Sequence, residues 1–179
     1  MTKTSMFKLL VVAVATSVSG SAFAASASAN LGVSASVSKN CSITTTPLLF
    51  GAYDPVTANL TLALTGSGTV SVACAKSSGG LTVGMSDGAN VLATQRQMKG
   101  AIVGNTDMLQ YNLYQPPSNA PGAACSFASP TAWTIAAPLT LTNAPSNAAR
   151  VYNVCGSIPG AQDVSVDSYS DVVSATINF

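Results

Sequence analysis

The 179-residue chain contains no histidine and no glutamate, and its charged residues make up only 7% of the total. Each absence excludes a class of function. Histidine is the usual general base and the usual partner of a cysteine nucleophile, so most hydrolytic and acyl-transfer machinery is missing. Without His, and without any C-x-x-C pair, a zinc centre lacks its ordinary ligands. Seven Lys and Arg stand against six acids, all Asp. No basic field exists to hold nucleic acid or an anionic membrane surface. There is no Gly-rich phosphate loop and no G-x-S-x-G elbow. A globular surface normally mixes charge over about a quarter of its residues. One this neutral is easier to understand if much of it ends against neighbours.

What is present begins with a stretch that reads as an export signal. Lys3 and Lys8 form a positive n-region, Leu9–Val14, loosely extended to Val18, an apolar h-region, and Ala22-Phe23-Ala24 a small-x-small site, which predicts cleavage after Ala24. The h-region is too short to span a bilayer, and no later segment is long and apolar enough. The expected organisation is residues 1–24 as signal peptide, 25–40 as an N-terminal extension, and 41–179 as one domain.

The extension is the most informative stretch. Ala25, Ala27, Ala29, Leu31, Val33, Ala35 and Val37 alternate with Ser26, Ser28, Asn30, Gly32, Ser34 and Ser36. Period-two alternation predicts a strand with one buried face. It holds no charge and no proline, so nothing protects it as a free edge. Either it pairs within its own domain or it is meant for another molecule.

Alternation continues along the chain. Strands are expected at Ser42–Thr46, at Leu60–Thr65, at Thr69–Cys74 after a Gly66-Ser67-Gly68 turn, and at Leu81–Met85. Ser86-Asp87-Gly88 reads as a hairpin turn, followed by a polar strand from Arg96 near an edge. Further strands are expected at Met108–Tyr114, Trp133–Ile135, Leu139–Leu141, Arg150–Cys155 and Val173–Phe179. Gln115–Pro130 reads as a surface loop. Many short strands with turn signals between them, and no amphipathic helix, specify an all-β sandwich or barrel.

Cys41, Cys74, Cys125 and Cys155, together with an export signal, read as structural disulfides made in an oxidising compartment. Spacing does not choose among three connectivities. Sequential pairing would close two loops of about thirty residues, each contributing roughly 3–4 kcal/mol in the chain-entropy model. Asp54 and Asp87 read as turn formers. Asp163 and Asp167 could ligate calcium only as part of a denser oxygen cluster, and read as solvated loop residues. Trp133, Tyr111, Tyr114 and Tyr152 suit either a sugar-stacking platform or, more simply, cross-strand packing. No catalytic, cofactor-binding or metal site is expected.

The segment Val151-Tyr152-Asn153-Val154-Cys155-Gly156-Ser157-Ile158-Pro159, then Tyr169-Ser170-Asp171, then a strand ending in Phe179, resembles the spore coat protein U domain family. That family includes subunits of archaic chaperone–usher pili of the Csu type. Tyr111-Asn112-Leu113-Tyr114 and the Asp87-Gly88 turn followed by Arg96 fit the same pattern. Cys41 and Cys74 look like the family's first-strand and second-strand disulfide pair. Cys125 and Cys155 would be a second pair that the main rod subunits need not have.

The resemblance implies an incomplete immunoglobulin-like β-sandwich that lacks its last strand. A periplasmic chaperone would fill the gap first. At an outer-membrane usher, the N-terminal extension of the next subunit would then replace it, which is β-augmentation. Leu31, Val33, Ala35 and Val37 would be the donor residues, and Val173, Ala175, Ile177 and Phe179 the acceptor edge. The implied function is a structural subunit of a secreted pilus in surface attachment and biofilm formation. Its partners would be neighbouring subunits, with no membrane insertion and no cofactor. The alternative is a self-contained secreted coat or matrix protein that binds a ligand or sugar, with Leu31–Val37 closing its own sheet. A small secreted hydrolase would need an Asp pair that no motif marks.

Overall fold

A computed structural model describes residues 24–179. The expected signal peptide lies almost wholly outside the described residues. The chain divides into two units, Met1–Ser36 and Val37–Phe179. Of the first, residues 24–36 are described; they belong to no helix or strand and are solvent-exposed throughout.

The second unit is all-β. Its nine strands are β1 (Cys41–Thr46), β2 (Leu64–Cys74), β3 (Thr82–Met85), β4 (Arg96–Gly100), β5 (Met108–Tyr114), β6 (Leu139–Thr140), β7 (Arg150–Ile158), β8 (Tyr169–Ser170) and β9 (Ala175–Asn178). They form two antiparallel sheets, ordered β1-β2-β7-β5-β4-β8 and β6-β3-β9. This is the expected all-β sandwich. The alternating residues Val70, Val72, Leu109, Leu113, Tyr152 and Val154 supply the inner face of the large sheet. Val83, Leu139 and Ile177 face them from the small one. Trp133 fills the centre and donates its indole N–H to the Val83 carbonyl at 2.7 Å. Such close-packed alternation is the main source of stability in a sandwich.

Several expectations need correction. Gly66-Ser67-Gly68 is no turn; it lies inside β2, paired with Val154–Gly156 of β7. The glycines are there because another segment crosses them. A Cβ on Gly68 would sit 2.9 Å from the Thr46 carbonyl oxygen, and one on Gly66 would sit 3.0 Å from that of Leu49. Strand glycines commonly mark such close backbone approach. Leu60–Ala63 is not strand, and Leu60 and Leu62 are exposed. Asp54 instead winds residues 54–59 into a turn, accepting the Val56 and Thr57 amides at 2.9 and 3.0 Å.

Asp87-Gly88 does not close a hairpin, because β3 and β4 belong to different sheets. The link passes over the edge of the sandwich, and Gly88 takes φ +90° there beside Asp171. Trp133 and Ile135 form no named strand; Trp133 is anchored by its side chain and Ile135 is exposed. β7 continues past the expected Cys155 to Ile158, while the last strand is only Ala175–Asn178. Arg96, expected on a polar edge strand, is buried, and β4 is flanked by β5 and β8. Its guanidinium donates to the carbonyls of Ser86 and Trp133 at 2.7 and 2.8 Å, tying the two sheets together. Burial pushes its pKa down, while Tyr111, Asp87 and Asp171 favour the charge.

The disulfides are Cys41–Cys74 and Cys125–Cys155. The first joins β1 to β2 at the end of their ladder. The second pins the Gln115–Pro130 loop to β7. β5 pairs with β7 only at Cys155–Ser157. The pinned loop covers part of the edge left over: Gly122 N–H donates to the Val151 carbonyl at 2.8 Å, and Asn153 Nδ2 donates to that of Ala123 at 2.8 Å.

Candidate functional site: an apolar groove between two unpaired strand edges

β1 and β9 each have a strand partner on one side only. Their backbones approach each other where the two sheets meet, and a cavity opens beside the ends of both, at Thr45, Thr46 and Ala175. After β1, Pro47 breaks the ladder and the chain crosses the inner face of β2 and β7 over the glycine strip. Leu48 and Phe50 fill the space that Gly66, Gly68 and Gly156 leave. Phe50 packs edge-on against Tyr111, with ring centroids 6.3 Å apart.

Two apolar cavities of about 410 and 640 Å³ open along this line. Leu48–Phe50, Met98 and Tyr169 border both, so the two lie side by side along one line, here called the groove. Its first half is closed by Met85, Leu113 and Val173, and its second by Leu109, Ile158 and Val164. A trough of this kind, lined by core side chains and bounded by unpaired backbone, can accept an extended strand.

The wall from Val164 to Val173 has almost no ladder of its own, only the two-residue β8. Three aspartates hold it instead. Asp107 accepts the Ser165 amide at 2.8 Å and the Ser165 hydroxyl at 2.5 Å. Asp167 accepts the Ile102 amide at 2.9 Å and Asn105 Nδ2 at 2.7 Å. Asp171 accepts the Ala89 amide at 2.9 Å and the Tyr111 hydroxyl at 2.6 Å. The bonds from Ser165 hold the Asp107 carboxyl below the ordinary value. At Asp167, desolvation raises the pKa, but bonds from Asn105, Ile102 and Ser168 outweigh it and the net shift is downward. Burial, then the bond to Asp171, pushes the Tyr111 phenol far up, so it stays a donor.

The expected donor residues Leu31, Val33 and Val37 are 87%, 87% and 91% exposed, and Ala35 is also exposed. None joins a strand ladder. Of the expected acceptor row, Val173, Ala175 and Ile177 pack against the core, whereas Phe179 lies beyond β9 and is half-exposed. The structure brings Val173 and Ala175 to the groove and leaves Ile177 and Phe179 outside its lining. Leu48, Phe50 and Met98 were not singled out from sequence, because a short apolar run before Tyr53-Asp54-Pro55 reads simply as the approach to a turn. The aromatics of the suggested sugar platform are mostly buried: Trp133, Tyr152 and Tyr111 belong to the core. Among the described residues no cluster of three or more His, Cys, Asp or Glu could hold a metal. No helix among them is long and apolar enough to cross a membrane.

These features define an antiparallel β-sandwich with an open, apolar, strand-sized groove. The chain belongs to the Spore Coat Protein U domain family, whose model matches residues 27–176. No curated protein matches it significantly. Among solved structures it is similar to the chaperone–tip adhesion subunit pre-assembly complex CsuC–CsuE, from archaic chaperone–usher Csu pili of Acinetobacter baumannii. The identity is 18% and the TM-score 0.46; the match covers 80% of this chain and 40% of that one.

Proposed function

We propose that the protein is a structural subunit of a chaperone–usher pilus and that it polymerises by donor-strand exchange. Leu31, Val33, Ala35 and Val37 of one copy enter the groove of the next, along the edge that carries Val173 and Ala175. A periplasmic chaperone occupies the groove beforehand, and an outer-membrane usher is where the exchange takes place. The role is scaffolding in surface attachment and biofilm, with no catalysis, and the route is export to the periplasm and then the cell surface. One observation carries this reading. The same chain holds an exposed apolar-alternating segment outside any ladder and an apolar groove that reaches the ends of two edge strands, β1 and β9. Each buried Val or Leu is worth about 1.5–3 kcal/mol, and main-chain bonds along the strand fix register.

The test compares the full chain with one lacking residues 25–37, each co-expressed with a pilus chaperone in a periplasm and run without boiling. A ladder of multimers from the full chain, and a single chaperone-bound species from the truncated one, is the expected result. A full chain that is a chaperone-free monomer, unfolded by the truncation, would sink the proposal.

A further inference from the structure

The groove wall and the N-terminal segment carry matching patterns of charge. Along the wall, the odd-numbered residues from Asp167 to Ile177 are half-buried, and the even-numbered ones are exposed. That odd-numbered row carries Asp167 and Asp171 on either side of Tyr169 in its first part, and is apolar in its second, with Val173, Ala175 and Ile177. From Val151 to Phe179 there is no Lys or Arg. The odd-numbered row of the N-terminal segment is the reverse: Leu31, Val33, Ala35 and Val37 are apolar, and Lys39 follows. Lys39 is the sole charged residue between Ala25 and Tyr53, and it is exposed. The donors to Asp167 and Asp171 are neutral amides and a phenol, and among the described residues neither forms an ion pair. Two neutral-and-charged rows of this kind match in one direction only. With the strands antiparallel, Lys39 lies beside the carboxylates and the apolar residues lie beside Val173–Ile177. With them parallel, Lys39 would fall beside apolar Ile177, and Leu31 beside aspartate.

We propose that Lys39 of one copy docks on the Asp167–Asp171 end of the groove wall of the next, a junction ion pair that fixes the direction and register of the entering strand. The inference rests on the strand-exchange assembly proposed above and adds the residue that orients it. An exposed pair of this kind adds little to stability. Its effect falls on encounter rate and on rejection of the wrong alignment.

The experiment is zero-length carbodiimide coupling of amines to carboxylates in polymers sheared from cells, followed by boiling and peptide mapping. Covalent multimers whose junction peptides join Lys39 to Asp167 or Asp171 are expected. Lys39→Arg keeps the charge and should keep assembly while losing that link. Lys39→Asp should cut the rate of polymer formation about tenfold relative to the wild type, and that difference should shrink at high salt. Polymers whose lysine links avoid both aspartates, or that form equally well with Lys39→Asp, would overturn the ion pair and leave strand exchange standing. A chain that forms no polymer would end both.

Discussion

The Tyr111 hydroxyl donates a 2.6 Å hydrogen bond to Asp171, and that bond joins the floor of the groove to its wall. Tyr111 stands on β5 inside the core, with Phe50 edge-on against its ring. Asp171 also receives the Ala89 and Asn90 amides, so a single carboxylate fastens three segments far apart in sequence. Tyr111→Phe removes the donor and keeps the ring. It should cost about 1–2 kcal/mol in urea unfolding. Hydrogen exchange should quicken first at the Ala89 and Asn90 amides, which Asp171 holds.

The glycine strip makes a graded prediction. A Cβ on Gly68 meets backbone, the Thr46 carbonyl and the Leu48 amide, which cannot move without displacing β1. A Cβ on Gly156 meets only the ends of the Leu48 and Phe50 side chains, at 2.6 and 2.7 Å. Gly68→Ala should therefore destabilise by about 2–3 kcal/mol and Gly156→Ala by about 1, within the range for overpacked cores. Equilibrium unfolding of the two variants checks the order, and a larger loss at Gly156 would contradict it.

That strip also shows where sequence reading stops. Period-two alternation located the strands around Val70–Cys74 and Leu109–Leu113, because burying one face of a sheet leaves that imprint on the residues themselves. Gly66-Ser67-Gly68 carries the same letters whether the chain turns or another segment presses close, and only the fold distinguishes the two. Asp87-Gly88 does mark the end of β3, but the turn comes after it, at Ala89–Asn90, and the chain then leads to the opposite sheet. The N-terminal alternation was legible as an unprotected strand. The groove was not, since Leu48–Phe50 and Val164–Val173 stand more than a hundred residues apart and become one trough only when β1 and β9 are in place.

Acid should loosen the protein in a defined window. Bonds from the Thr57 hydroxyl, then the Thr57 and Val56 amides, hold Asp54 at about 2 against an ordinary 3.8. Asp107 and Asp167 are lowered as well. A carboxylate with a depressed folded pKa contributes stability that is fully present above its unfolded value and is lost as pH falls through the folded one. The melting temperature should hold steady above pH 5 and fall between about 4 and 2. Asp54→Asn should start lower at neutral pH and show a shallower decline; an unchanged slope would exclude Asp54 from the transition.

The two disulfides close loops of nearly equal length, with separations of 33 and 30 residues, so chain entropy gives each about 3–4 kcal/mol. Their local effects should differ. Replacing Cys125 and Cys155 by Ser frees the loop that covers the edge of β7, so the Ala123–Asn153 and Gly122–Val151 bonds should open. Enhanced exchange at the Gly122 amide and a rise in aggregation are expected there. The Cys41–Cys74 replacement should instead fray β1, detected at Ile43 and Thr45. Identical exchange maps for the two variants would contradict this assignment.

The sharpest separation of roles lies at Val33. Its side chain is exposed and no ladder includes it, so Val33→Asp removes no packing from Val37–Phe179. The unfolding midpoint of the subunit should move by less than about 0.5 kcal/mol, as for ordinary surface changes. Strand exchange makes the opposite demand. An aspartate entering the apolar groove forfeits the burial of valine and desolvates a charge with no cation at that point of the wall, a penalty of several kcal/mol. Multimers should disappear while the chaperone-bound subunit remains. Val33→Ile, which keeps the apolar surface, should retain them. A Val33→Asp protein that unfolds would place the segment in its own sheet, and one that still forms a full ladder would place some other segment in the groove.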